Sequence, residues 1–124
     1  KNETCPYHVG SNPGTFRSPE EYAYEPQTEK VDIFSMGNIF FGLLSRELPF
    51  MNMIDSKKAR KLVKKGVRPT LPPAIQNSTD PFDKSLMEAM QMCWLQDPKQ
   101  RATARQVERF LDAELAKLGI GKDQ

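Results

Sequence analysis

The segment EKVDIFSMGNIFFGLLSR, residues 29–46, decides the fold. Its apolar residues Val31, Ile33, Phe34, Met36, Ile39, Phe40, Phe41, Leu43 and Leu44 fall on every side of a helical wheel. A helix that is apolar all round belongs at the centre of a protein. The pattern predicts a helix from Glu29 to about Arg46, capped by Thr28 and barred from extension by Pro49. Two residues stand out in it. An isolated carboxylate is expensive in such a place, so Asp32 is expected to accept hydrogen bonds from buried donors. Gly37 costs about 1 kcal/mol relative to Ala within a helix, which predicts a close backbone approach at that point.

Downstream, Ser56 to Lys65 reads as a second helix ended by Gly66. Residues 68–73, RPTLPP, read as an extended connector because proline excludes helix. A third helix opens at Asp80 with Pro81 at its first position and carries Phe82, Leu86, Met90 and Cys93/Trp94 at helical spacing. The fourth begins with the capping box Thr103-x-x-Gln106, continues through Val107, Phe110, Leu111, Leu115 and Leu118, and closes at Gly119. Residues 1–28 hold four prolines and two glycines without an apolar period, and read as a long loop with at most one helical turn. No segment pair alternates like a hairpin. The expected fold is mainly α with little or no sheet.

Composition narrows the class. The chain has 124 residues, 38% hydrophobic and 27% charged, which excludes disorder and a disulfide scaffold and fits one domain. Its formal charge of +2 is far from that of a dedicated nucleic-acid binder, so a small basic helical protein for nucleic acid is the weakest reading. The apolar run Ile39–Leu44 is much shorter than the roughly 20 residues of a membrane span. The N-terminus lacks a secretory pattern and an initiator Met, so the sequence is expected to be a fragment. Cys5 and Cys93 are expected to be free thiols, and with His8 the only histidine they are too few for a zinc site. Asn2-Glu3-Thr4 and Asn77-Ser78-Thr79 match the glycosylation pattern and are taken as chance.

Three short strings occur in order: GTFRSPE at 14–20, DIFSMG at 32–37 and DPKQRAT at 97–103. Together they resemble the later half of the eukaryotic protein kinase domain. Ser18-Pro19-Glu20 resembles the A-P-E motif that ends an activation segment. The second string resembles D-x-W-S-x-G, with Phe34 in place of Trp. The third resembles D-P-x-x-R-P-T, with Ala102 in place of Pro. RELPF at 46–50 is similar to the family's T-G-x-x-P-F, while RPTLP at 68–72 and Cys93-Trp94 are similar to the tyrosine-kinase and tyrosine-kinase-like branches. The resemblance runs from about Gly14 to Leu118. It implies the helical part of the C-terminal lobe, with residues 1–28 ending the activation segment and 29–124 supplying one incomplete helical domain.

The resemblance implies that Glu20 and Arg101 form a buried ion pair, that Asp32 accepts from backbone amides of a catalytic loop, and that Gly14, Thr15, Phe16 and Arg17 form a shelf for the substrate. Ser11, Thr15 and Ser18 are candidate phosphorylation sites, since an added dianion near basic groups can order such a loop. Lys57, Lys58, Arg60, Lys61, Lys64 and Lys65 make the second helix basic, which suits an acidic docking peptide. The implied activity is transfer of the γ-phosphoryl group of ATP, with Mg2+, to Ser/Thr hydroxyls of a protein substrate, Tyr being second. The glycine-rich loop, phosphate-binding Lys, catalytic-loop Asp and Asn, and D-F-G are not among these residues. No catalytic or metal-binding residue is therefore assigned, and the isolated chain is expected to be inactive. A pseudokinase or docking module is the alternative. The expected compartment is cytoplasmic.

Overall fold

The helices follow from their caps and apolar faces. The computed structural model describes residues 17–50 and 56–119. In chain order the helices are α1 (Pro19–Tyr22), α2 (Lys30–Ser45), α3 (Ser56–Lys64), α4 (Pro73–Gln76), α5 (Pro81–Cys93) and α6 (Ala104–Lys117), and no strand forms among the described residues. The N-cap of α2 is Glu29 rather than the expected Thr28, whose hydroxyl accepts from the Lys30 amide at 3.2 Å just ahead of the helix. At the other end, Arg46 adopts a left-handed φ of 62° and its N–H donates to the Gly42 carbonyl at 2.7 Å. The helix is thus turned off before Pro49. Such a conformation is uncommon for a residue other than Gly, Asn or Asp.

α3 closes in a Schellman motif: Gly66 at φ 95° donates to Val63 and Val67 donates to Leu62, satisfying carbonyls the helix leaves free. Asp80 caps α5 by accepting from the Phe82 amide at 2.9 Å. Thr103 and Gln106 cap α6 reciprocally, at 3.1 and 2.9 Å. The connector differs from the reading of 68–73 as wholly extended, because Pro73 begins the short α4. Proline is disfavoured inside a helix but suits its first position, where no amide partner is needed.

α2 lies along α5, α5 packs on α6, and α1 rests on α3. The main core joins Tyr22, Phe34, Phe41, Leu44, Val63, Leu71, Met90 and Trp94, and a smaller one joins Ile33, Cys93, Ala102 and Val107. Trp94 is central, its ring tilted against Phe41 at 5.8 Å and Phe34 at 6.5 Å between centroids. Its indole N–H donates to the buried Asn38 Oδ1 at 3.0 Å. Buried indoles need such a partner.

Two expectations are corrected. α2 is not buried all round: Asp32, Ile39 and Leu43 share a stripe at helical spacing, and all three are exposed. Asp32 is exposed in this chain, and the donors that the kinase resemblance implies for it belong to a catalytic loop that is not among these residues. On α5, Phe82 is also exposed, lying beyond the reach of the core that holds Met90. Cys93 is fully buried, and burial pushes its thiol up to about 11 against the opposing charge of Arg101.

Gly37 has its reason here. A Cβ at that position would lie 2.6 Å from Trp94 Cδ1 and 2.9 Å from Cys93 Cβ. Gly37→Ala is expected to destabilise by about 1–3 kcal/mol despite the better helix propensity of alanine, read as a lower urea midpoint. Cys93, neutral and sealed, is expected to react with iodoacetamide at pH 8 only as fast as the chain unfolds. Alkylation at the rate of a free peptide thiol would contradict its burial.

Candidate functional site

The site grows where two segments far apart in the sequence meet at Arg101. Ser18-Pro19-Glu20 opens α1, with the Ser18 amide and hydroxyl both donating to Glu21 Oε1 at 2.9 Å. This arrangement turns Glu20 inward. Arg101 leaves the loop between α5 and α6, and its Nη1 and Nη2 donate to Glu20 Oε2 and Oε1 at 2.8 and 3.0 Å. The pair is sealed, the two side chains being 0% and 2% exposed.

The remaining donors of Arg101 are also used. Nε donates to the Leu95 carbonyl at 2.9 Å, Nη1 to Lys30 at 2.8 Å and Nη2 to Gln96 at 3.2 Å. A guanidinium has five N–H groups in a fixed fork, and all five have partners here. Lys30 returns the contact: its ammonium donates to the carbonyls of Arg101 at 2.7 Å and Pro98 at 2.9 Å. Nothing in the sequence pattern singled out Lys30, since a lysine in a first turn ordinarily faces solvent.

Phe34 lies against two guanidinium groups, with Arg101 at 5.0 Å and Arg68 at 4.8 Å from the ring centroid. Both distances fall within cation–π range. Arg68 donates from Nε and Nη2 to the Trp94 carbonyl at 3.0 and 2.7 Å. Burial and the nearby Arg101 charge hold its guanidinium down to about 10, with Glu20 opposing. It stays charged at neutral pH. The connector, the central helix and the loop after α5 are thereby joined through one aromatic ring.

The expected shelf is only partly described. Gly14, Thr15 and Phe16 lie outside the described residues, as does Ser11. Arg17 is half-buried, its Nη1 on Glu21 Oε2 at 2.7 Å and its amide donating to the Tyr22 hydroxyl at 3.1 Å. Burial pushes the Tyr22 phenol up. Ser18 is fully buried with its hydroxyl engaged, so as a phosphorylation candidate it needs this turn to open. Asp32 and Gly37 stand apart from the ion pair, the one solvated and the other at the α2–α5 crossing.

On α3, Lys57, Lys58, Lys61 and Lys64 are exposed, as is Lys65 just after it, and Arg60 is half-buried, while Ala59 and Val63 face the core. Lys57, Arg60, Lys61 and Lys64 line a cleft of about 240 Å³ together with Tyr22 and Tyr24. Among the described residues no group of three or more His, Cys, Asp or Glu side chains is placed to hold a metal ion. No helix among them is long and apolar enough to cross a membrane.

The helical fold is that of the C-terminal lobe of a protein kinase domain. Residues 3–110 match the protein kinase domain family, and the chain belongs to it. The serine/threonine-protein kinase STY17 of Arabidopsis thaliana is 31% identical over 108 residues, 86% of this chain and 18% of that protein. The serine/threonine/tyrosine-protein kinase HT1 of the same plant is 33% identical over 101 residues, 80% of this chain and 24% of the relative. A probable serine/threonine-protein kinase of Dictyostelium discoideum, drkC, is 29% identical over 96 residues, 77% of this chain and 12% of its own length. The chain spans less than a quarter of each of these relatives.

Removing either partner of the ion pair strands the other charge in a sealed site. Arg101→Ala and Glu20→Ala are each expected to cost about 3–5 kcal/mol. The double variant should lose much less than the sum, as read by a double-mutant cycle in urea. Strictly additive losses would show that the two charges are not coupled.

Proposed function

We propose that this chain is the substrate-facing and helical part of a protein kinase that transfers the γ-phosphoryl group of MgATP to Ser/Thr hydroxyls of proteins, with Tyr hydroxyls second. The observation that carries the reading is the sealed Glu20–Arg101 pair, which anchors the end of the preceding loop to the helical core. Phosphoryl transfer depends on positioning more than on covalent chemistry from the protein, so a rigid anchor beside a substrate loop is a functional part. Gly14, Thr15, Phe16 and Arg17 are proposed to receive the substrate segment next to the phosphorylated residue, with Ser11 and Thr15 as modification sites on the same loop.

ATP and Mg2+ supply the phosphoryl donor and its charge neutralisation in the whole protein. In this reading their binding residues lie elsewhere in it, because the motifs for them do not occur in the 124 residues. The basic outer face of α3 is proposed to dock an acidic segment of the protein substrate, in a cytoplasmic setting. Support for Ser/Thr over Tyr comes from the names of the relatives, two of which are described as serine/threonine kinases and one as serine/threonine/tyrosine.

The test is a phosphotransfer assay on the whole protein with radiolabelled ATP and peptide mixtures of Ser, Thr or Tyr acceptors. Label on Ser or Thr is expected, whereas the 124-residue chain alone should transfer none. Lys57→Glu with Lys61→Glu should raise KM for acceptors with acidic flanks at unchanged kcat. Absence of transfer by the whole protein, with retained binding of acidic peptides, would favour a docking module without catalysis.

A further inference from the structure

Tyr22 and Tyr24 are two residues apart and differ sharply. Tyr22 is core, with its hydroxyl on the Arg17 amide. Tyr24 is 56% exposed and sits in the turn after α1 with a left-handed φ of 57°. An aromatic residue in that region is a genuine outlier, and such outliers persist only where the surroundings over-determine them. The turn is held by its own backbone, the Ala23 amide donating to Pro19 at 2.9 Å and the Glu25 amide to Glu20 at 3.0 Å. In this turn Tyr24 lines a cleft whose other lining residues are Tyr22, Lys57, Arg60, Lys61 and Lys64.

No acidic side chain lines that cleft among the described residues, whereas four basic ones do. An exposed tyrosine and four basic residues thus line one cleft, the chemistry that suits a phosphate group. A phosphotyrosine carries about −1.5 to −2 charge at pH 7 and three acceptor oxygens, and it gains most where several Lys or Arg converge.

We propose that Tyr24 is a phosphorylation site whose phosphate occupies the basic cleft between α1 and α3 and closes it. The phosphate comes from MgATP through a tyrosine-directed kinase. The phenol oxygen bonds to the γ-phosphorus as the bond to the β,γ-bridging oxygen breaks, ADP leaves with that electron pair, and the phenol proton passes to the base of the modifying enzyme. The seat stands on the cleft itself. Its consequence, exclusion of an acidic docking segment from α3, rests on the docking reading above.

The test uses the whole protein with phosphotyrosine incorporated at position 24 and read by ³¹P NMR against the unmodified protein. The second phosphate pKa of about 6 is expected to fall toward 5, and Lys61→Gln with Lys64→Gln should return it toward 6. A value equal to that of the same short phosphopeptide would overturn the seat. In a second arm, the native protein is treated with a broad-specificity tyrosine kinase and MgATP and mapped by mass spectrometry. Label on Tyr24 and none on Tyr22 is expected. Labelling of Tyr24 only after denaturation would overturn the site. Affinity for a polyglutamate peptide, measured with and without the phosphate, reads the consequence separately. A tenfold loss is expected, while no binding even to the unmodified protein would fail the docking reading and leave the NMR result to judge the seat.

Discussion

The constraint on which the described structure depends is the complete satisfaction of one buried cation. An arginine at 1% exposure is tolerable only when each of its donors is matched, and Arg101 meets Glu20 and the carbonyls of Lys30, Leu95 and Gln96. Those partners come from α1, from the start of α2 and from the loop after α5. Their positions are therefore set by one planar group rather than by the apolar core alone. The helices define where side chains can be, and the guanidinium decides how the loops between them are held.

Around that group the apolar and polar layers reinforce one another. Phe34 packs into the core on α2 while its ring faces the two guanidinium groups, so the same residue serves burial and charge. Arg68 then carries the network to Trp94, and Trp94 to Asn38. Buried polar networks are costly when partly satisfied and specific when complete. This one couples the connector before α4 to the centre of α2. The basic face of α3 lies outside it, attached to the core through Ala59 and Val63.

Much of this was legible in the sequence because it rests on local rules. Capping boxes, proline at the first helical position and glycine after the last turn marked α5, α6 and the end of α3 closely. The apolar run at 31–44 announced the central helix, and Gly37 announced the contact that Trp94 makes. What escaped was non-local. Lys30 and Asn38 are ordinary polar residues in sequence, and only the packing of distant carbonyls and an indole gives them buried partners. Which apolar residues of α2 stay exposed, Ile39 and Leu43, was not legible, since a wheel shows which faces are apolar and not which are covered. α4 was missed because two consecutive prolines read as a break when the second one starts a turn. Of the substrate shelf, only Arg17 falls within the described residues, while the Glu20–Arg101 pair became visible through a family resemblance that spacing alone does not supply.

The crossing of α2 and α5 has a consequence for how such a chain can change. Gly37 meets Trp94 by having no side chain, and the next residue, Asn38, meets the same indole by a directed hydrogen bond. One neighbour fixes the separation of the helices and the other fixes their rotation. Positions 37, 38 and 94 are thus physically coupled, and enlarging residue 37 would require the ring at residue 94 to shrink or re-aim in step.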